Sequence, residues 1–102
     1  MSTFTVTKLT KENYIVEGDI TIFSLDKKAE KAFDFIKSEK NVCISFEKVT
    51  LVDSAGLALI IELIKGAKLT NTKLSFKHIP HQISILAKLS NLNINQYISN
   101  QL

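Results

Sequence analysis

The chain has 102 residues, of which 45% are hydrophobic and 23% are charged, values typical of one soluble globular domain. Its formal net charge is +3, and all of its basic side chains are lysines scattered along the sequence. Because arginine is the preferred side chain for recognising phosphate and guanine, this composition disfavours a nucleic-acid-binding role. The sequence therefore predicts a single domain, residues 1–102, without nucleic acid among its partners.

Cysteine content and hydropathy predict where the protein is found. Cys43 is the only cysteine, so an internal disulfide is excluded, and we expect it to be buried as a small apolar side chain. The N-terminus lacks the layout of a signal peptide. The longest apolar or glycine run, Ala55–Ile61, is far shorter than the roughly 20 residues that cross a bilayer. We expect a cytoplasmic protein without direct membrane insertion.

The first half of the chain reads as a hairpin, a helix and a buried strand. Alternating polarity predicts strands at Phe4–Leu9 and Tyr14–Gly18, with a break at Gly18-Asp19. A helix is predicted from a cap at Asp26 to about residues 38–40. The apolar run Asn41–Phe46 is typical of a central strand.

The second half continues the alternation of helices and strands. A helix is predicted over Ser54–Leu69, a strand over Lys73–Lys77, and a third helix with Pro80 in its first turn. Asn91 ends that helix, and a short helix or turn is expected near Tyr97. This order favours an α/β fold: a small, mostly parallel sheet with an N-terminal hairpin, covered by three to four α-helices.

The predicted helix Ser54–Leu69 carries an unusually wide apolar surface. Its apolar residues cover an arc of about 200°, twice what a helix lying on a sheet needs. The surplus packs either against a neighbouring helix or against another protein, including a second copy of the chain. At its start, Asp53 or Ser54 can cap the exposed N–H groups, and Gly56 permits close approach by the chain or a partner.

The segment Val52-Asp53-Ser54-Ala55-Gly56-Leu57 resembles the marker of STAS domains, in which Asp-Ser/Thr-small-Gly-Leu opens a helix after a strand. The predicted element order matches that family along nearly the whole chain. The resemblance implies a STAS-like fold and a protein-binding role for the start of this helix.

Two longer segments are similar to the STAS subunits of Mla phospholipid-transport systems. They are Asp53–Leu59, continued by Glu62-Leu63-Ile64, and Ile85–Leu92. This resemblance implies a cytoplasmic, non-catalytic subunit that binds an ABC-type ATPase and is peripheral at the inner membrane through that partner. Such transporters maintain outer-membrane lipid asymmetry.

The resemblance and the helix geometry together define a candidate partner-binding site without cofactor or metal. Its residues share the start and the outer face of the predicted helix: Asp53, Ser54, Ala55, Gly56, Leu57, Ala58, Ile61, Glu62 and Lys65.

The alternative is an anti-sigma factor antagonist, a STAS protein controlled by phosphorylation through an anti-sigma kinase. Antagonists typically carry a second hydroxyl residue where this chain has Ala55, so Ser54 is the remaining candidate phosphoacceptor.

The sequence does not favour an enzyme. His78 and His81 are three residues apart, but the sequence assigns them no thiol or carboxylate partner for a metal site. No glycine-rich phosphate loop, nucleophile elbow or cysteine-pair motif occurs. We therefore expect no catalytic residues.

Overall fold

A computed structural model describes residues 4–22, 24 and 31–99. Its strands are β1 (Phe4–Thr10), β2 (Asn13–Ile20), β3 (Asn41–Val52) and β4 (Lys73–Lys77). Two α-helices, α1 (Ser54–Leu69) and α2 (His81–Leu89), and two 3₁₀ helices, Asp34–Ser38 and Asn95–Tyr97, complete the described elements. The α/β fold with an N-terminal hairpin is confirmed.

The four strands form one sheet in the order β1-β2-β3-β4. β1 pairs antiparallel with β2, whereas the β2–β3 and β3–β4 pairs are parallel. Because α1 connects the parallel strands β3 and β4, it begins at the carboxyl end of β3 and runs back to the end of the sheet where β4 starts. The sheet is therefore mostly parallel, as predicted.

The core lies between the sheet and the helices. Its largest fully buried side chains include Phe46, Phe76, Ile60 and Ile83, which come from β3, β4, α1 and α2. The rings of Phe46 and Phe76 meet edge to face, with 5.7 Å between their centroids. Alternation along β3 places Cys43 on the other face from the buried Val42 and Ile44, so Cys43 is half-buried rather than fully buried.

Strands β2 and β3 are longer than their sequence patterns predict. β3 continues through Glu47–Val52, and β2 continues past Gly18 to Ile20. The register between them shifts twice, between Ile15 and Glu17 and between Gly18 and Asp19. These irregularities break the period-2 pattern, and Gly18 adopts φ 100°, a conformation that glycine tolerates.

The predicted first helix falls mainly outside the described residues, since Asp26 and its neighbours at 25–30 are not described. Its last part is a 3₁₀ helix, Asp34–Ser38, which buries Ile36. The described residues thus contain two α-helices, where three to four were predicted. Pro80 is the N-cap of α2 rather than part of its first turn.

Candidate partner-binding site

Asp53 organises the start of α1. It is the N-cap residue, and its Oδ1 accepts a hydrogen bond of 2.8 Å from the amide of Ala55. Its Oδ2 accepts a second one, of 3.3 Å, from the amide of Ile22. One carboxylate therefore satisfies an unpaired N–H of the helix and holds the chain after β2 beside it.

A second set of hydrogen bonds fixes the same region from the β2 side. The hydroxyl of Thr50 donates to the carboxylate of Asp19 at 2.7 Å. The hydroxyl of Ser24 donates to the carbonyl of Asp19 at 2.7 Å and accepts from the amide of Thr21. The chain leaving β2 is thus held against the end of β3 and the start of α1.

Ser54 occupies the first position of α1 and is exposed. Its hydroxyl makes no hydrogen bond within the described part of the chain, because Asp53 supplies the cap. The Ser54 hydroxyl can therefore form a hydrogen bond with another molecule. It lies at the helix N-terminus, which carries a partial positive charge.

The next three residues belong to the interior. Ala55, Gly56 and Leu57 are all buried. A Cβ built on Gly56 would lie 2.3 Å from Cγ2 of Val52 and 3.1 Å from Cδ1 of Ile83. Gly56 therefore permits the close approach of β3 and α2 to α1. These three predicted contact residues support the site from inside instead of lining its surface.

The remaining predicted residues form the outer side of α1. Ala58, Glu62 and Lys65 are exposed, and Ile61 is half-buried. Glu62 and Lys65 form an ion pair of 3.5 Å, which is exposed and therefore weak. Together with Ser54 they give a strip of the helix whose small residues, Ser54 and Ala58, lie nearest its start.

One exposed apolar residue from outside the helix, Ile22, borders this strip and was missed by the sequence analysis. Ile22 is 63% exposed, and its amide binds Asp53; Leu51, at the end of β3, is 57% exposed. Ile22 lies next to the start of α1 because β2 and β3 pair there, with Ile20 opposite Val52. Leu51 precedes Asp53 by two residues, and strand alternation places it on the other face of the sheet from Val52, which faces Gly56 of α1. No local sequence signal brings Ile22 to this place.

Other sequence candidates lie outside the site. His78 is exposed with φ 56°, and His81 is the exposed first residue of α2. Among the described residues no group of three or more His, Cys, Asp or Glu side chains is placed to hold a metal ion. Of the helices described, none is both long and apolar enough to traverse a bilayer.

The N-terminal hairpin, the mostly parallel sheet and the helix that begins after the capping Asp53 together form a small α/β domain. The family model of the STAS domain matches residues 8–100. The chain belongs to the STAS family.

Two solved structures show the same fold. The Bacillus cell fate determinant SpoIIAA in its phosphorylated form matches with a TM-score of 0.69 and 14% sequence identity, over 97% of this chain and 91% of that chain. The anti-sigma factor antagonist SpoIIAA in its unphosphorylated form matches with a TM-score of 0.61 and 15% identity, over 97% and 88%. At such identities the likeness concerns the fold.

Proposed function

We propose that this chain is a non-catalytic subunit that acts by binding one partner protein. The contact surface, called the Ser54 face below, consists of residues around the start and outer side of α1: Ile22, Asp53, Ser54, Ala58, Ile61, Glu62 and Lys65. The observation that carries the proposal is the exposed Ser54 hydroxyl, unbonded within the described residues and adjacent in the chain to Asp53, whose carboxylate holds the amide of the exposed Ile22.

The composition of the Ser54 face suits docking by complementary shape. Ser54 and Ala58 are small, so a partner's backbone or helix can approach closely. Ile22 offers exposed apolar surface, whose removal from water in an interface is favourable. The chain's proposed contribution is a shaped surface, while any reaction is performed by the partner.

An anti-sigma factor antagonist is the specific role that the comparisons favour. The structures similar to this chain are of SpoIIAA, named as an anti-sigma factor antagonist and solved in phosphorylated and unphosphorylated forms. In this role the partner is an anti-sigma kinase. Ser54 is the phosphoacceptor, because the residue after it is the buried Ala55, which has no hydroxyl.

A subunit of a phospholipid ABC transporter is the second role, and the sequence resemblance to Mla STAS subunits supports it. With Ala55 in place, the usual hydroxyl for a phosphorylation switch is missing, which favours a permanent contact with an ABC-type ATPase. In this role the protein is cytoplasmic and held at the inner membrane through that ATPase, in a system that maintains lipid asymmetry.

Substitution of Ser54 tests the binding surface. We expect Ser54→Lys to weaken partner binding at least tenfold, because a long charged side chain at a close contact cannot be accommodated (about 1.4 kcal/mol per factor of ten). Ser90→Lys, which adds the same side chain at the exposed residue after α2, is the matched control. Binding is measured by calorimetry with the cognate partner, and folding by thermal melting. Equal affinity of folded Ser54→Lys and the wild type contradicts the proposal.

A second experiment separates the two roles. The chain is presented in parallel to the ABC-type ATPase and to the anti-sigma kinases encoded in the same genome, and retained complexes are identified. Incubation with each kinase and ATP is followed by mass spectrometry of Ser54. Phosphorylation of Ser54 that releases a kinase supports the antagonist role; a complex with the ATPase and an unmodified Ser54 support the transporter role.

A further inference from the structure

The end of the sheet opposite the Ser54 face is built from three chain connections. They are the hairpin turn between β1 and β2, the segment entering β3, and the turn between α1 and β4. The amide of Cys43 bonds the carbonyl of Glu12 at 2.7 Å, and the amide of Lys73 bonds the carbonyl of Lys40 at 2.7 Å. The hydroxyl of Thr72 donates to the carbonyls of Ile36 and Glu39. These bonds gather the three connections into one surface.

Lysines from all three connections are concentrated there. This surface, called the basic end below, contains more lysines than carboxylates: Lys8, Lys11, Lys37, Lys40, Lys68 and Lys73 against Glu12, Asp34 and Glu39. The lysines are scattered in sequence, and the parallel topology brings them together.

Two of the three carboxylates of the basic end, those of Glu39 and Asp34, form ion pairs with lysines. Glu39 accepts from the Tyr14 hydroxyl and pairs with Lys8 at 3.1 Å. Asp34 pairs with Lys37 at 3.9 Å. Four exposed lysines form no ion pair with any carboxylate of the described chain: Lys11, Lys40, Lys68 and Lys73. Their charge is available to an external anion.

A large apolar side chain lies among these lysines. Leu69, the last residue of α1, is 87% exposed and follows Lys68 directly. The turn 70–72 then connects it to Lys73, with the amide of Thr72 bonded to the carbonyl of Ala67 at 2.8 Å. An exposed apolar side chain with lysines next to it in the chain and on the adjoining connections is suited to adsorption at the boundary between headgroups and acyl chains.

We propose that the basic end adsorbs reversibly to a bilayer surface carrying anionic headgroups. The unpaired lysines lie over the headgroups, and Leu69 enters the interface beneath them. A lipid surface fits better than a nucleic acid, because the chain has no arginine for base recognition and the exposed Leu69 finds an apolar phase only in a bilayer. The contact is peripheral and leaves the start of the Ser54 face, at Ser54 and Ala58, free for a protein partner.

Vesicle binding by the purified full-length chain tests this inference without any protein partner. The probes are flotation assays with phosphatidylcholine vesicles and with vesicles of equal parts phosphatidylcholine and phosphatidylglycerol. We expect binding only to the anionic vesicles and its loss at high salt, because exposed charges are screened. Binding of a soluble poly-glutamate peptide is measured in parallel, because this polymer offers negative charge without the apolar interior of a bilayer.

Variants locate the contact. The double variant Lys68→Gln/Lys73→Gln and the single variant Leu69→Ser are each expected to lower the bound fraction at least threefold. The matched control, Lys48→Gln/Lys77→Gln, removes the same charge near the other end of β3 and β4 and is expected to bind like the wild type. Thermal melting verifies that all variants fold.

Three outcomes overturn the inference. The first is failure of the wild type to bind anionic vesicles. The second is equal loss of binding in both double variants, which would assign the effect to net charge alone. The third is full vesicle binding by Leu69→Ser together with equal binding of poly-glutamate, which would assign the basic end to an acidic protein segment. None of them affects the proposal for the Ser54 face.

Discussion

Two glycines in one helix have opposite surroundings. Gly56 is enclosed, since an added Cβ would meet Val52 and Ile83, whereas an added Cβ on Gly66 has no atom within 4 Å. The close packing of Val52 and Ile83 explains why position 56 is a glycine. Nothing within the described domain requires glycine at position 66, although glycine in a helix interior is less favourable than alanine.

Alanine substitution is therefore expected to act in opposite directions at the two positions. Gly56→Ala should lower the free energy of unfolding by about 1–3 kcal/mol, the usual range for overpacking a core. Gly66→Ala should raise it by roughly 0.5–1 kcal/mol, because it removes only the conformational freedom of glycine. Urea titration followed by circular dichroism measures both. A stabilised Gly56→Ala would show that the contact with Val52 relaxes without strain.

Tyr14 and Glu39 form the most perturbed ionisable pair of the described chain. The Tyr14 hydroxyl donates to the Glu39 carboxylate at 2.5 Å, and its ring stacks on Phe35 with 3.7 Å between the centroids. Burial, followed by the bond to Glu39 and its negative charge, raises the pKa of Tyr14 from 10.0 to about 12. The bond from Tyr14, assisted by Lys8, lowers the pKa of Glu39 despite its partial desolvation.

The raised pKa of Tyr14 predicts a loss of stability at high pH. A tyrosine whose pKa is higher in the folded chain than in the unfolded one stabilises the fold fully below pH 10 and loses this contribution as pH rises from 10 to about 12. Ultraviolet titration in a Tyr97→Phe background reports Tyr14 alone, since the chain has only two tyrosines. A titration of Tyr14 at the ordinary value would contradict the expectation.

The lowered pKa of Glu39 predicts a loss of stability at low pH. Its contribution to stability is present above the unfolded value of 4.5 and is lost as pH falls through the lower folded value. Acid unfolding of Glu39→Gln should therefore depend less on pH in this window than that of the wild type. Glu47→Gln, at an exposed glutamate without an ion pair in the described chain, is the control.

At the scale of elements, the start of α1 depends on one carboxylate. Asp53→Ala removes the cap of Ala55 and the tether of Ile22 together, and we expect it to lower the free energy of unfolding by about 0.5–2 kcal/mol. Ser54→Ala is the neighbouring control and should have little effect, because its hydroxyl makes no described bond. Hydrogen exchange at Ile22 and Ala55 tells whether both amides lose protection. Unchanged exchange at Ile22 would assign the stabilisation to the helix cap alone.

Elements with a regular pattern were predictable from the sequence. Helix Ser54–Leu69 and strand Lys73–Lys77 have the predicted bounds, because one hydrophobic period holds throughout each of them. β3 was predicted only as far as Phe46. Beyond that residue its register shifts against β2, so the alternation of buried and exposed residues no longer marks a strand.

The candidate site was predictable only in part for a related reason. The sequence places Ser54 at the start of a helix, and local periodicity separates Ala58 and Glu62 from the buried side. It does not show which residues at the start face inward; Gly56 faces Val52 and Ile83 because of tertiary packing. Ile22 enters the site through strand pairing, which single-sequence patterns do not reveal.

At the scale of the whole molecule, parallel strands separate two surfaces. The Ser54 face lies at the carboxyl ends of β2 and β3, and the basic end lies at their amino ends, in a molecule with principal extents of 30 × 30 × 28 Å. Lys65 lies one helical turn before Leu69, so only the start of the Ser54 face, at Ser54 and Ala58, is remote from the basic end. A protein partner confined to the start of α1 can bind together with the proposed lipid contact.

The pairing of β2 with β3 also affects how the chain acquires its structure during synthesis. Ile20 lies opposite Val52, so the register of the central pair joins residues far apart in sequence, whereas Phe4 and Gly18 meet across a short hairpin. Long-range parallel pairing is slow compared with local contacts. The hairpin can form while the ribosome is still elongating, but the β2–β3 pair forms only after Val52 has left the exit tunnel, and the sheet is complete only after β4 has followed.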